Sequence, residues 1–124
     1  VNSERNLDID WVEDRVPLRI AKLWLLHGHE LPKAPSNPVN AARNTQLKTG
    51  ECVLVGHWHQ SSKHRVTTLA DRVITCFSQG CLCNLHPKYS PFNPTWMHGF
   101  SLVHRDDENN FTVDDKIVLD GKVY

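Results

Sequence analysis

The sequence predicts a mixed α/β domain: a sheet covered by helices on one face, with a strand-rich C-terminal half. Three observations carry this. Apolar runs at 19–26 and 51–56 each stop beside a glycine, as short buried strands do. Between them lies a segment with helix-start and helix-stop residues. Beyond residue 60 the chain turns to β-branched stretches joined by turn signals. The order strand, helix, strand makes the first two strands parallel neighbours with a crossover helix, and antiparallel strands follow.

Each element has a local reason. Residues 1–18 are mostly polar and charged, with Trp11 and Val12 the only sizeable apolar pair before Val16, and Pro17 breaking any helix there. A short helix or irregular arm is expected there. "RIAKLWLL" at 19–26 reads as a buried strand ending at His27-Gly28-His29. "ELPKAPSNP" holds three prolines and must be loop. Ser36 or Asn37 can cap a helix with Pro38 in its first turn, running to about Lys48 and ending at Gly50. "ECVLVG" is the second apolar strand. "HRVTTLA" and "RVITCFS" form a hairpin about Ala70-Asp71. "GCLCNLHPKYSPFNPTW" is a long loop with three prolines, a length that compact domains usually reserve for function. "HGFSLVH" and "NFTVD" are strands, and "KIVLDGKVY" carries an Asp-Gly hairpin turn.

Bulk composition narrows the function classes. A chain of 124 residues with 40% hydrophobic content suits one domain, spanning 1–124, with one core. Lys and Arg total 14 and Asp and Glu total 14, so binding a polyanion through net charge is disfavoured. Eight histidines are an excess that points toward metal or acid–base chemistry. Cys52, Cys76, Cys81 and Cys83 form no C-x-x-C pair and read as reduced thiols, partly in the core. No run reaches transmembrane length and no leader opens the chain, so a cytoplasmic setting without membrane contact is expected. The Val1 start suggests a processed product or part of something longer.

The candidate site lies where the two apolar strands stop. The second reaches Gly56-His57-Trp58-His59, and the first reaches His27-Gly28-His29. Carboxyl ends of neighbouring parallel strands are where α/β sheets place their ligands. Three imidazoles, His27, His57 and His59, are therefore expected around one divalent cation, with Zn, Fe, Mn or Ni suited to such donors. A single H-x-H is common by chance; the pairing across a crossover gives the argument its weight. His64, His86, His98 and His104 read as surface or supporting residues. A zinc site from Cys81, Cys83 and His86 is a weaker reading, since structural zinc prefers C-x2–4-C pairs.

"LWLLHGHE" followed by "VLVGHWHQ" resembles the last two metal-binding motifs of the calcineurin-like metallophosphoesterases, a strand-end H-G-H and then G-H-x-H. The likeness covers roughly residues 19–83, with "CFSQGCL" similar to the strand end that follows G-H-x-H. The D-x-H, G-D-x-x-D and G-N-H motifs of the family are absent from the sequence. The resemblance thus implies the C-terminal half of such an enzyme, a partial metallophosphoesterase-like β-sandwich with covering helices. It assigns His27 and His57 to one metal and His59 to the other, with Mn, Zn or Fe as cofactors. It implies hydrolysis of a phosphomonoester or phosphodiester by metal-activated hydroxide, this chain supplying part of a dinuclear site. The catalytic residues would lie in an N-terminal half on another chain or an unseen segment. The alternative is a non-catalytic metal-binding or interaction module that homo-oligomerises through bare strand edges. Trp58, Tyr89, Phe92 and Trp96 are candidates for base stacking, with lid packing as the plainer reading.

Overall fold

The structure, a computed structural model, describes residues 8–13, 15–31 and 39–124. It is mixed α/β with mostly strands, arranged as one helix, a five-stranded sheet and a three-stranded sheet in successive layers. The expected covering helices are a single helix among the described residues. Residues 8–13 and 15–17 form no helix or strand, and Trp11 is 90% exposed.

The run at 19–26 is not one strand. It folds into a hairpin of β1 (Leu18–Ile20) and β2 (Leu23–Leu26), with Ala21 at φ 54° in the turn. The apolar run hides the break, although β1 is an edge strand with Leu18 and Arg19 exposed and only β2 enters the core. β2 then pairs in parallel with β3 (Val53–Val55), Trp24 opposite Val53 and Leu26 opposite Val55. β3 pairs in parallel with β5 (Val73–Ser78), which pairs antiparallel with β4 (Ser62–Thr67). The hairpin expected about Ala70-Asp71 is present, as is the parallel pair across the crossover. The sheet order is β1-β2-β3-β5-β4.

The crossover helix α1 runs Ala41–Thr49, later than its expected start. Asn40 caps it, its side-chain oxygen accepting from the Arg43 N–H at 2.8 Å. Gly50 ends it in the left-handed conformation, its N–H donating to the Gln46 carbonyl at 2.9 Å. Caps of this kind contribute about 1 kcal/mol each, which matters for a helix of only 9 residues. The expected caps Ser36, Asn37 and Pro38 lie outside the described residues. α1 meets the sheet through small residues, with Ala41, Ala42 and Thr45 fully buried. The Ala42 N–H donates to Ser62 Oγ on β4. Small side chains let the helix backbone sit close to the strands without a broad apolar stripe.

Strand alternation sorts the two layers. Val53, Val55, Ile74 and Cys76 pack under α1 with Trp58. Leu23, Leu54 and Phe77 point to the other face. There they meet Val103, Phe111 and Val113 of the second sheet, built from β6 (Gly99–Arg105), β7 (Phe111–Leu119) and β8 (Lys122–Val123). Burying each such side chain contributes about 1.5–3 kcal/mol. The segments "NFTVD" and "KIVL" are one continuous strand, β7, and the Asp120-Gly121 turn leads into β8 as expected. Polar links tie the sheets together: Asp115 on β7, which also accepts from its cross-strand neighbour Ser101, accepts from Ser61 beside β4, and Lys22 donates to Asn110 at 2.9 Å. The Cys76 thiol is pushed up to about 11 by burial, so it is inert core rather than chemistry. No helix among the described residues is long and apolar enough to cross a membrane.

The β6–β7 turn supplies a test. Asp106 accepts from the Asn110 N–H at 2.8 Å, the Glu108 N–H at 3.0 Å and Asn110 Nδ2 at 3.1 Å. The Asn110 donors hold its carboxyl below the usual carboxylate range. A depressed carboxyl stabilises the fold above its ordinary pKa, and the contribution is lost as pH falls through the lower folded value. Asp106→Ala is therefore expected to melt below wild type at neutral pH. The difference should close in strong acid, as followed by thermal unfolding at several pH values.

Candidate metal centre

The parallel ladder between β2 and β3 continues past the strands into the site. The His27 carbonyl accepts from both the Gly56 N–H at 3.1 Å and the His57 N–H at 2.7 Å. This fork places the rings of His27 and His57 side by side, their centroids 4.8 Å apart. His29 joins them: its ring centroid lies 4.8 Å from that of His27 and 6.4 Å from that of His57. The Nδ1 atoms of His27 and His29 are 2.8 Å apart, so one donates and the other accepts. All three histidines are exposed at the carboxyl edge of the sheet.

Gly28 makes the tight return between His27 and His29 possible. Its φ is +117°, and a Cβ there would stand 3.0 Å from both His57 Cβ and a Trp58 ring carbon. Trp58 is 6% exposed and packs in the helix-side core. Its role is therefore packing, against the ring of His57 at 5.3 Å.

Glu30 completes this group. One carboxylate oxygen accepts from the His27 N–H at 3.2 Å and the other from the Gly28 N–H at 2.6 Å. Burial pushes its carboxyl upward, but these backbone donors and its own N–H outweigh burial and hold it below the usual range. An anion is thus fixed beside the imidazoles, 3.7 Å from His29 Nδ1. Ligand atoms of His27, His29 and Glu30 lie within 4.8 Å of one another. His29 and Glu30 were visible in "HGHE", but only the turn geometry shows that their donor atoms converge.

His59 goes elsewhere. It sits beyond the end of β3 with φ 54°, its N–H donating to the Gly56 carbonyl. Its ring stacks edge-on against Trp96 at 4.3 Å, and its Nδ1 lies 3.7 Å from Cys83 Sγ. The ligand atoms of His59, Cys81 and Cys83 lie within 4.8 Å of one another. His27 and His57 thus meet, while His59 heads a separate donor group. His86 is not part of it, since its Nδ1 faces the Pro91 carbonyl at 3.1 Å. In the same loop Tyr89 and Phe92 are 83% and 90% exposed, so neither packs as a lid over the core.

The donors suit a cation electronically. Burial lowers the His57 pKa, helped by His27 and His29 and opposed by Glu30; burial and then His57 lower that of His59. Neutral imidazole is the form that ligates metal. A groove of about 590 Å³ is lined by His27, His29 and Glu30 together with Trp11 and Arg15 of the N-terminal arm. No family model, no curated protein and no solved structure matches the chain.

Two glycines separate backbone freedom from steric fit. Gly50 has φ +64° with open space around a would-be Cβ, whereas Gly28 has both a positive φ and close neighbours. Gly50→Ala is expected to cost about 1 kcal/mol. Gly28→Ala should cost more, about 2–3 kcal/mol with the clash added to the strain. Denaturant unfolding of the two variants checks the order.

Proposed function

We propose that this chain is the metal-binding C-terminal half of a calcineurin-like metallophosphoesterase, acting on a phosphomonoester or phosphodiester. The observation that carries the reading is the ring contact of His27 and His57 at the ends of adjacent parallel strands. The H-G-H and G-H-x-H motifs supply the chemical class. The layered arrangement of helix, sheet and sheet is compatible with part of that family's β-sandwich.

The donor set fits a divalent cation such as Mn, Zn or Fe. His27 and His57 would hold one cation, with His29 and Glu30 beside it, and His59 would serve a second. When bound, such ions neutralise phosphoryl oxygens and make water acidic enough to attack. The chain's own residues do the rest of what this half contributes. Glu30 locks the H-G-H turn through two backbone N–H groups. The groove beside these residues gives a phosphoester a place to lie, and Arg15 is among the residues that line it. The missing motifs would come from another polypeptide or a further segment of a longer one.

A second reading, a non-catalytic metal-binding or oligomerising module, is favoured by the apolar residues left on the arm and edge strand. Trp11, Val16 and Leu18 are 90%, 52% and 41% exposed.

Hydrolysis of p-nitrophenyl phosphate and its bis-ester, with Mn²⁺ added, separates the two. The phosphoesterase reading expects slow turnover that a chelator abolishes. His27→Ala and His57→Ala should each lower it by at least about 100-fold, with loss of bound metal. Bound metal without turnover favours the second reading. Turnover indifferent to chelator and to both histidines rejects the first.

A further inference from the structure

Cys81 and Cys83, which the phosphoesterase motifs do not account for, form a group with His59. The site is built rather than incidental, because one short segment, Met97–Gly99, grips the backbone at all three positions. The Met97 N–H donates to the His59 carbonyl at 2.9 Å. The Cys81 N–H donates to the Met97 carbonyl at 2.9 Å, and the Gly99 N–H returns a bond to the Cys81 carbonyl at 3.0 Å. His98 Nε2 donates to the Cys83 carbonyl at 2.8 Å. Gly80 lets these strands close up, since a Cβ there would meet the Met97 carbonyl at 2.6 Å and the Gly99 nitrogen at 2.7 Å. The positive φ of His59 turns its ring onto Trp96 and toward the thiols.

One edge of the group has the length that a tetrahedral zinc site requires. With zinc bonds of about 2.3 Å to sulfur and about 2.0 Å to nitrogen, a tetrahedron has N···S edges of about 3.6 Å and S···S edges of about 3.8 Å. The His59 Nδ1 to Cys83 Sγ separation is 3.7 Å, and all three ligand atoms lie within 4.8 Å of one another. Two sulfurs and one imidazole are a softer donor set than His27, His29 and Glu30. Such a set selects zinc over manganese or magnesium.

We propose that His59, Cys81 and Cys83 bind a zinc-class cation, with its fourth coordination position open. Binding forms two metal–sulfur bonds and one metal–nitrogen bond, and each thiol releases its proton to solvent. The exposed Cys83 gives the ion its way in. The site shares only His59 with the phosphoesterase reading and stands whether or not the chain hydrolyses esters.

The test is titration of the reduced, metal-free chain with Co²⁺, a spectroscopic stand-in for zinc. One equivalent should raise a near-ultraviolet sulfur-to-cobalt charge-transfer band that Zn²⁺ then abolishes. Cys83→Ser should remove the band and weaken zinc binding by at least about tenfold, with the far-ultraviolet circular dichroism unchanged. His59→Ala should weaken it likewise. His27→Ala and His86→Ala should leave the band intact. No band in the wild type, an equal band in Cys83→Ser, or a band that depends on His86 and not His59 overturns the proposal. Loss of phosphoester hydrolysis alone does not bear on it, because the band reports the thiolates directly.

Discussion

The His27 carbonyl is the constraint on which the site depends. It accepts two N–H groups from the chain leaving β3, at 3.1 Å and 2.7 Å. Those bonds extend the parallel ladder by one step beyond the strands and prevent the two ends from splaying. A parallel pair needs a crossover connection, and α1 provides it from the far side of the sheet. The imidazoles therefore meet because the backbone is paired beneath them, not because the rings attract one another. Neutral rings alone gain little from such contact, and as cations they would repel.

Around that ladder the chain sets two kinds of donor at two distances from the strands. Close in, the Gly28 turn brings His29 and Glu30 back over His27, giving nitrogen and oxygen donors with one fixed negative charge. Farther out, the left-handed backbone at His59 sends its ring to the sulfur-bearing start of the long loop. Two donor groups, one of nitrogen and oxygen and one of nitrogen and sulfur, thus lie beyond the carboxyl ends of the same sheet. Ser78, at the end of β5 nearby in sequence to this loop, is buried with an unpartnered hydroxyl, and nothing in the structure explains it.

The long loop from Gly80 to Met97 holds itself by polar bonds more than by apolar burial. Asn93 bonds to Ser90 and to the Leu85 carbonyl, and Asn84 accepts from the His86 N–H. That is why its aromatic residues Tyr89 and Phe92 stay in solvent while Trp96, at the anchored end, covers His59. The loop ends are where order is needed, since they carry the cysteines and the segment that grips them.

Sequence alone determined what local periodicity and spacing encode. The parallel pair with its crossover, the hairpins about Ala70-Asp71 and Asp120-Gly121, the helix stop at Gly50 and the approach of His27 to His57 all rest on patterns of a few residues. It did not reveal the break at Ala21, because a left-handed turn at an alanine leaves no glycine or proline signal inside the apolar run. Nor did it reveal the partners of Glu30, His59, Cys81 and Cys83. Glu30 depends on the turn at Gly28, and the thiols face His59 because β3 and β5 are neighbours and a segment reached only after the long loop holds both ends. Short-range order is written in neighbouring residues; which distant donors face each other is decided by how the strands stack.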